Sequence, residues 1–453
     1  MAMGLFDPVF GRGEVAAGGE AWLRALLEVE AALARAVERA GLAPAGSGAS
    51  VTEAAATGTF ELTDLGTELT GNPVPGLVRA LARQVPEAAR EAVHRGATSQ
   101  DVMDCAAMLL ARRAFDVIGS DLAAAAAAAA RLAGAHRATV MAGRTLLQQA
   151  VPVTFGLVAA GWLSGLDEAR GGLAKVGESR LAVQFGGAAG TLAALGRDGP
   201  RVTSLLAAEL GLAVPVLPWH TDRLRIIDVA AVLARVTAVL GKVARDVTLL
   251  AQSEVGEVRE SDSGPAGPVR RGGSSAMPHK NNPVAAIAVL GCTRQVPALV
   301  ATLISAAEAE HQRAAGAWHA EWEPWSALLR LTGSAACWGA ELLGGLTVDV
   351  QRMAANLAAS RGLPLAEQVT GLLATAVGPV QAHDLVAGAS DRAVLEGRPL
   401  GEVLLSLPGL ADRLAAAGIS AGQVDQALQP AGYLGATDVY IDAALAAHGG
   451  LNG

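Results

Sequence analysis

The sequence has few charged residues, few aromatic residues and few cysteines. Charged residues make up 17% of the 453 residues and aromatic residues 3%, and 35 basic against 43 acidic side chains give a net charge of −8. No cluster of Lys and Arg interrupts this acidic balance, which argues against nucleic-acid binding as the main activity. Cys105, Cys292 and Cys337 lie far apart with no C-x-x-C spacing, which argues against a zinc site or a disulfide framework.

Small apolar residues dominate instead, with 51% of the chain hydrophobic. Alanine and leucine favour closely packed helices over strands, so we predict an all-α fold. Met1–Phe10 has no basic stretch followed by an apolar run, so we expect a cytoplasmic location. The uncharged stretch Thr145–Leu166 is long enough to cross a membrane, but it contains Gln148 and Pro152. We interpret it as a buried bundle helix and predict no membrane partner.

The apolar periodicity predicts an amphipathic helix over Ala21–Ala40 and a shorter one from Pro75 to Val93. Longer helical patterns cover residues 101–137, 149–175, 222–258, 284–312 and 323–346. Five long helices with few strand signals indicate a central helical bundle. We therefore predict three domains: a helical N-terminal domain (1–103), the central bundle (104–347) and a small helical C-terminal domain (348–453).

A Gly- and Pro-rich loop, residues 261–283, lies between two of the long helical patterns. Loops of this length are usually functional lids or disordered linkers, and we favour a lid because this one gathers reactive side chains. Ser274, Lys280 and Asn282 provide a hydroxyl, an amine and an amide at fixed spacing. A serine alkoxide stabilised by backbone N–H groups or a cation can act as a base. The residues alone equally allow Ser274 and Ser275 to form turn hydrogen bonds.

Three segments resemble the fumarase/aspartase superfamily. Residues 273–283, GSSAMPHKNNP, resemble its signature GSSxMPxKxNP, and residues 95–101, RGATSQD, resemble its first substrate-binding segment. Residues 143–148, GRTLLQ, resemble its second. The resemblance implies a three-domain all-α fold, a homotetramer and active sites shared between subunits. It also implies proton abstraction next to a carboxylate, with Ser274 as the base and Lys280 and Asn282 stabilising an aci-carboxylate intermediate.

The same pattern supplies the candidate substrate-binding residues. They are Arg95, Thr98, Ser99, Gln100, Arg144, Thr145, Gln148, His220, Ser275 and Met277. The two arginines are candidate carboxylate clamps, although an ion pair at a helix end explains Arg144 equally well. Thr98 and Ser99 also suit the N-cap of a helix. His220 is a candidate proton donor. No cluster of metal ligands and no nucleotide motif is present, so we predict neither a metal nor an organic cofactor.

One departure from the superfamily pattern narrows the range of reactions expected of this chain. Many members pair a His in the second segment with a Glu seven residues after the signature lysine, and this chain has Leu146 and Ile287 there. Hydroxide or an amine leaves with the help of a general acid, whereas a carboxylate of pKa about 4 leaves unaided. The substrate is therefore expected to be a di- or tricarboxylate with a weakly basic leaving group.

The branch that the chain resembles most is the one that lactonises 3-carboxy-cis,cis-muconate in the breakdown of aromatic compounds. Residues 149–163 (QAVPVTFGLVAAGWL), 218–221 (PWHT), 316–322 (GAWHAEW) and 433–435 (YLG) also resemble that branch. The first alternative is a lyase that releases a weak base such as nitrite from a substituted succinate. A catalytically silent scaffold is the second alternative, and the intact Ser, Lys and Asn of the signature argue against it.

Overall fold

The computed structural model describes residues 4–261, 271–273, 276–277 and 279–452. Regular structure in these residues is almost entirely helical, as predicted. The helices are α1 (Asp7–Phe10), α2 (Gly19–Arg39), α3 (Ser47–Thr57), α4 (Thr67–Thr70), α5 (Val74–Gln84), α6 (Ser99–Ala135), α7 (Phe155–Arg180), α8 (Gly199–Leu210), α9 (Leu224–Leu250), α10 (Val284–Thr293), α11 (Val296–Ser305), α12 (Ala317–Ala320), α13 (Trp322–Gly344), α14 (Val350–Ala358), α15 (Ala366–Val377), α16 (Pro379–Glu396), α17 (Leu400–Leu405), α18 (Leu410–Ala416), α19 (Ala421–Ala427) and α20 (Thr437–Asn452). Two antiparallel sheets pair β1 (Val140–Thr145) with β2 (Gln148–Thr154) and β3 (Val258–Arg259) with β4 (Thr347–Val348). Short 3₁₀ segments lie at Leu62–Leu65, Glu87–Ala92, Gly196–Asp198, Leu363–Leu365 and Pro430–Gly432.

The chain divides into two compact units, each assembled from three stretches of sequence. The first unit comprises Met1–Ala123, Glu168–Lys242 and Ile287–Ala340. In it α2 packs on α3 and α8, with a buried face that includes Leu26, Leu33 and Val37.

The second unit comprises Ala124–Asp167, Val243–Ala286 and Glu341–Gly453. In it α14 packs on β1, and α16 packs on α15 and α17 around a core that includes Leu373, Val386 and Leu400. The three-domain division inferred from the sequence stays a prediction.

The long helical patterns predict several helices closely. Residues 21–40, 101–137 and 323–346 correspond to α2, α6 and α13. Prolines explain why two of the predicted helices are interrupted. The helix predicted over residues 75–93 is α5, which ends at Gln84 ahead of Pro86. The helix predicted over residues 284–312 divides into α10 and α11, and Pro297 lies in the first turn of α11. The pattern at 222–258 ends early, at Leu250 of α9.

The helix predicted over residues 149–175 is wrong at its start, because residues 148–154 form the second strand of a hairpin. Pro152 lies in that strand, and its missing N–H and fixed φ are unsuited to a helix interior. Thr154 then ends the strand and its hydroxyl accepts from the Leu157 N–H at 3.2 Å, which caps α7.

Two helical segments of the described chain are long and apolar enough to cross a membrane by length and composition. They are Ser99–Ala135 and Val284–Ser305. Core helices of soluble proteins meet the same criterion, so the property identifies no membrane span. The stretch considered from the sequence, Thr145–Leu166, instead holds part of the hairpin and the start of α7.

Candidate active site

The first substrate-binding segment forms the N-terminus of α6. Thr98 occupies the N-cap position, and the Asp101 carboxylate, three residues on, accepts the Thr98 N–H at 3.0 Å. This is one half of a capping box, and it places an acidic group in the first turn as the helix dipole favours. Thr98 thus occupies the predicted cap position, but the capping bond found there is made by the Asp101 carboxylate and not by a Thr98 or Ser99 hydroxyl, and Ser99 is already the first helical residue. The contact of both hydroxyls with substrate stays a prediction.

Asp101 is the centre of a buried hydrogen-bond network that joins three loops. Its carboxylate accepts from the Gly186 N–H at 3.0 Å and the Gly187 N–H at 2.9 Å, and it lies 2.7 Å from Nε2 of His220. With the Thr98 N–H, four donors surround one carboxyl group, which therefore acts as an acceptor only. We call Thr98, Asp101, Gly186, Gly187 and His220 the Asp101 network.

The glycines of this network are required by close approach. A Cβ on Gly186 would lie 2.7 Å from Cε1 of His220, and a Cβ on Gly187 would lie 2.9 Å from the carbonyl oxygen of Gly96. Gly187 and Gly96 also have φ of +66° and +76°, in the left-handed region. The backbone is thus packed directly against the ring and the segment that it positions.

Gln100 is buried and its amide is used within the protein. Its Nε2 donates to the His220 carbonyl at 2.9 Å and to Asp104 Oδ2 at 3.2 Å, while its Oε1 accepts from Arg313 Nη1 at 3.1 Å. Arg313 also donates to the carbonyl oxygens of Gly187 and Ala188. These contacts give Gln100 a positioning role, and its predicted contact with substrate stays a prediction.

Arg95 follows a strained residue. His94 has a φ of +57°, which a non-glycine residue rarely adopts. Buried Glu30 holds it through the His94 N–H at 2.9 Å and Nδ1 at 2.7 Å. Burial disfavours the charged imidazole, but the charge and hydrogen bond of Glu30 outweigh it and raise the pKa of His94. Arg95 itself lies 3.5 Å from Glu91 and is partly exposed.

A second buried network lies deeper in the same unit, around Arg223. Its guanidinium donates to both carboxylate oxygens of Asp104 at 2.7 and 3.0 Å and to both of Glu321 at 2.9 and 2.5 Å. Burial opposes the charge, but the two carboxylates outweigh it and raise the pKa of Arg223. The Trp318 indole N–H also donates to Asp104, at 3.3 Å. These contacts fix α6 against the segments that carry His220 and Trp318.

In the second unit, Arg144 forms a bidentate ion pair. Its Nη1 and Nη2 lie 2.8 and 2.7 Å from the two oxygens of Glu257, whose side chain is fully buried. Asn356 donates to the same carboxylate at 2.8 Å. An ion pair is the alternative that the sequence left open for Arg144, but the expected place at a helix end is wrong, because Arg144 lies in strand β1 and Glu257 directly precedes β3. Its predicted contact with substrate stays a prediction.

The turn between β1 and β2 consists of Leu146 and Leu147, both in the left-handed region at φ +50° and +66°. Leu146 is 96% exposed and Leu147 is 74% exposed. Two left-handed central residues define a type I′ hairpin turn, for which Asn and Gly are the usual choices. Thr145 and Gln148 pair at the base of this turn with exposed side chains. The second substrate-binding segment is thus an exposed hairpin tip.

The signature loop is closed at its base. Asn282 donates both its backbone N–H, at 2.9 Å, and its side-chain amide, at 3.1 Å, to the Gly272 carbonyl, and Gly273 pairs with Asn281. Gly272 has a φ of +76°, and a Cβ there would lie 2.3 Å from the Asn282 carbonyl oxygen. Lys280 and Met277 are exposed. Ser274 and Ser275, the predicted base and its neighbour, lie outside the described residues.

Two carboxylates hold the ends of this loop. Glu260 accepts the N–H groups of Ala285 and Ala286, both at 2.9 Å, and so caps α10. Burial raises the pKa of Glu260 although these N–H groups oppose the shift. Arg271 pairs with Glu341 of α13. Beside these groups lies a cavity of about 250 Å³ that Ser261 and Gly345 also line.

Known proteins resemble this chain over most of its length. A family of lyases matches residues 27–298. A nitrosuccinate lyase of Streptomyces davaonensis is 46% identical over 95% of this chain and 92% of its own length. A 3-carboxy-cis,cis-muconate cycloisomerase of Bradyrhizobium diazoefficiens is 45% identical over 93% and 92%.

The chain belongs to the fumarase/aspartase superfamily. The crystal structure of a 3-carboxy-cis,cis-muconate lactonizing enzyme from Pseudomonas putida superposes with a TM-score of 0.89 and 38% identity, covering 99% of this chain and 100% of that one. The predicted superfamily and the all-α fold are confirmed.

Several polar residues around the superfamily segments are missing from the sequence-based predictions. Asp101 enters those predictions only as the last residue of segment 95–101 and the first of a helical pattern, and Glu257, Arg313, Glu260 and Asp104 are given no role in them. Asp101 and His220 are 119 residues apart, and Gln100 and Arg313 are 213 apart. The one local signal was charge: in a chain with 17% charged residues, each buried one is conspicuous.

Proposed function

We propose that this superfamily member is a cycloisomerase that lactonises 3-carboxy-cis,cis-muconate. One terminal carboxylate of the substrate adds across a carbon–carbon double bond, forming a C–O bond. The electron pair of that double bond moves onto the carbon next to another carboxylate, which becomes an aci-carboxylate. Protonation of that carbon completes the lactone. The net reaction forms one C–O bond and one C–H bond at the expense of a carbon–carbon π bond, leaves the carbon skeleton unchanged, and takes up one proton as the trianion becomes a dianion.

The observation that carries this proposal is the apolar character of the two positions that hold a His–Glu pair in other members. Leu146 is 96% exposed at the hairpin tip, and Ile287 is 52% exposed on α10. Neither side chain can donate or accept a proton. A reaction with a carboxylate as its nucleophile, or as the leaving group in reverse, needs no such pair. The muconate cycloisomerases among the relatives support the same substrate.

The signature residues take the chemical roles in this proposal. Ser274 delivers the proton to the carbon, or removes it in the reverse direction, and Lys280 and Asn282 stabilise the aci-carboxylate by charge and hydrogen bonding. The hydrogen bond from the Asn282 side chain to the Gly272 carbonyl supports a loop whose two ends are fixed to each other.

The remaining candidates bind the other carboxylates. Among the described residues no hydrogen bond of the Thr98 or Ser99 hydroxyl is found, so both can donate to a ligand. Arg95 supplies a partly exposed cation. We also propose that the substrate is contacted by Arg144, Thr145, Gln148, His220, Ser275 and Met277.

A second candidate function is elimination of nitrite from a nitrosuccinate to give fumarate. The relative from Streptomyces davaonensis supports it, and nitrite is a weak base that also leaves without a general acid. The two reactions differ in product number and in proton balance. Lactonisation converts a trianion into a dianion and takes up a proton, whereas elimination of nitrite releases one.

The test is to assay the purified protein with 3-carboxy-cis,cis-muconate in weakly buffered solution, following diene absorbance and pH together. We expect absorbance to fall as pH rises, with one product and no nitrite. Absence of turnover there, with fumarate and nitrite formed from nitrosuccinate and a falling pH, would replace the cycloisomerase by the lyase.

Assembly and location are part of the same proposal. We propose a homotetramer with active sites shared between subunits, in the cytoplasm, without a membrane or nucleic-acid partner and without a metal or organic cofactor. Only 33% of the most apolar window of Val284–Ser305 is buried within one chain, and Ile287 and Ile304 are about half exposed. Apolar faces of this kind mark contacts between subunits.

A further inference from the structure

The Asp101 network leaves one ring nitrogen of a buried histidine without a protein partner. The His220 side chain is only 4% exposed, and its Nε2 lies 2.7 Å from Asp101 Oδ1. In the described part of the chain no hydrogen bond of Nδ1 is found. A ligand or a water molecule can complete the hydrogen bonding of such an atom.

The ring is fixed from both sides along the chain. The Trp219 backbone N–H donates to Gln184 Oε1 at 2.8 Å, and the Trp219 indole donates to the Val183 carbonyl at 2.9 Å. The Thr221 hydroxyl donates to the His311 carbonyl at 3.1 Å, and the Gln100 amide donates to the carbonyl of His220 itself. Preorganisation of this kind is typical of a group that must meet a ligand at a set position.

Charge decides what kind of ligand fits. Asp101 accepts from four donors, so Nε2 of His220 carries a hydrogen toward it. When the ring is doubly protonated, Nδ1 also carries a hydrogen and donates outward while Nε2 donates to Asp101. Only an acceptor, and best an anionic one, completes this arrangement.

We propose that Nδ1 of His220 binds one carboxylate of the substrate and that Asp101 is the positioning residue that sets the tautomer and orientation of the ring. This rests on the proposed function only in taking the ligand to be a polycarboxylate. In this proposal the Thr98–Asp101 segment has two roles. Its hydroxyls are available to the substrate, and its Asp101 side chain positions the His220 ring.

Two substitutions separate the two nitrogens of the ring. In His220→Gln the side-chain amide nitrogen takes the place of Nε2 and keeps the contact with Asp101, but nothing replaces Nδ1. In His220→Asn the amide nitrogen lies near the position of Nδ1, and the contact with Asp101 is lost. Asp101→Asn removes the carboxylate, and His383→Gln, at an exposed histidine of α16, is the matched control.

The experiment measures binding of tricarballylate, a saturated tricarboxylate, to the intact oligomer by calorimetry, with the melting temperature of each variant. We expect His220→Gln to bind about 10- to 100-fold more weakly at a nearly unchanged melting temperature, as for loss of one charge-assisted hydrogen bond. His220→Asn should have a lower melting temperature but lose less affinity than His220→Gln. Asp101→Asn should lower both the melting temperature and the affinity, and His383→Gln should change neither.

Wild-type affinity in His220→Gln would overturn the proposal, and so would a wild-type protein that does not bind tricarballylate. Equal loss of affinity in His220→Gln and His220→Asn would assign the ring a structural role instead. Because binding is read without turnover, a wild-type protein that binds tricarballylate but leaves 3-carboxy-cis,cis-muconate unchanged would contradict the proposed function alone.

Discussion

The two substrate-binding segments are built in opposite ways. The first, at the start of α6, is held by buried partners: Asp101 accepts four hydrogen bonds, and Gln100 donates two and accepts one. The second is the tip of a hairpin whose Leu146 and Leu147 are left-handed and exposed. One segment is complete within its own unit, whereas the other presents strained apolar side chains outward. The difference supports sites that are completed by other subunits.

The same contrast separates residues whose substitution should change stability from residues whose substitution should change the reaction rate. Removing one partner of a buried ion pair such as that of Arg223 lowers the unfolding free energy because the remaining charges stay buried and unpaired, whereas exposed polar groups such as Lys280 contribute little to it. We therefore expect substitutions in the signature loop to change the rate with little effect on folding. Substitutions in the buried networks should do the reverse.

The largest expected effect on rate is that of Ser274→Ala. Removal of a group that transfers a proton to carbon should lower kcat by about 10³-fold or more, with oligomeric state and melting temperature unchanged. Steady-state kinetics and size-exclusion chromatography measure both. Ser275→Ala, at the next residue, should cost less because that hydroxyl is proposed only to bind. An active Ser274→Ala protein would remove serine from the role of base.

The largest expected effect on stability is that of Arg223→Met. The change leaves Asp104 and Glu321 buried without their cation and should lower the unfolding free energy by about 3–5 kcal/mol. Denaturant titration followed by circular dichroism measures it. Arg235→Met is the control, because Arg235 pairs with Glu168 at 3.0 Å on the exposed surface and should change stability by less than about 1 kcal/mol. Similar losses in both variants would show that burial does not distinguish the two pairs.

The hairpin turn tests whether strain serves function. The double change Leu146→Asn and Leu147→Gly supplies the usual residues of a type I′ turn and should stabilise the protein by about 1–2 kcal/mol. We expect kcat/KM to fall, because the exposed side chains are lost from the proposed shared site. A variant that is more stable and fully active would leave the strained turn without a function.

Leu192 gives the matched control for that experiment. It is also left-handed, at φ +49°, but it is buried in the first unit beside Gly187 and Gly199. Leu192→Gly should therefore destabilise the protein, because lost packing outweighs relieved strain. Opposite signs at the two positions would sharpen the comparison between an exposed strained residue and a buried one.

Periodicity and a long motif were enough to predict the helices α2, α6 and α13 and the superfamily, whereas the segments of the site stay a prediction. The hairpin was missed because QAVPVT is uncharged and mostly apolar, like the helix that follows it, although Pro152 argues against a helix interior and Val151, Val153 and Thr154 favour a strand. The buried partners were missed for another reason. Arg144 and Glu257 are 113 residues apart, and no local pattern shows that two such residues meet. Local propensity therefore predicts elements, whereas charge pairing depends on tertiary packing.

The smallest expected effect concerns the strained His94 at the edge of the first segment. Pairing with Glu30 raises the pKa of His94, so protonated His94 stabilises the folded state. This contribution is complete below the unfolded-state pKa of about 6.5 and is lost as pH rises through the higher folded-state pKa. His94→Gln should therefore cost most stability at pH 5.5–6 and progressively less above about pH 6.5. Melting temperatures of both proteins across this range measure the difference, and His383→Gln, an exposed histidine, should parallel the wild type throughout. A loss in His94→Gln that is constant with pH would mean that Glu30 holds the strained backbone through its hydrogen bond to the His94 N–H alone.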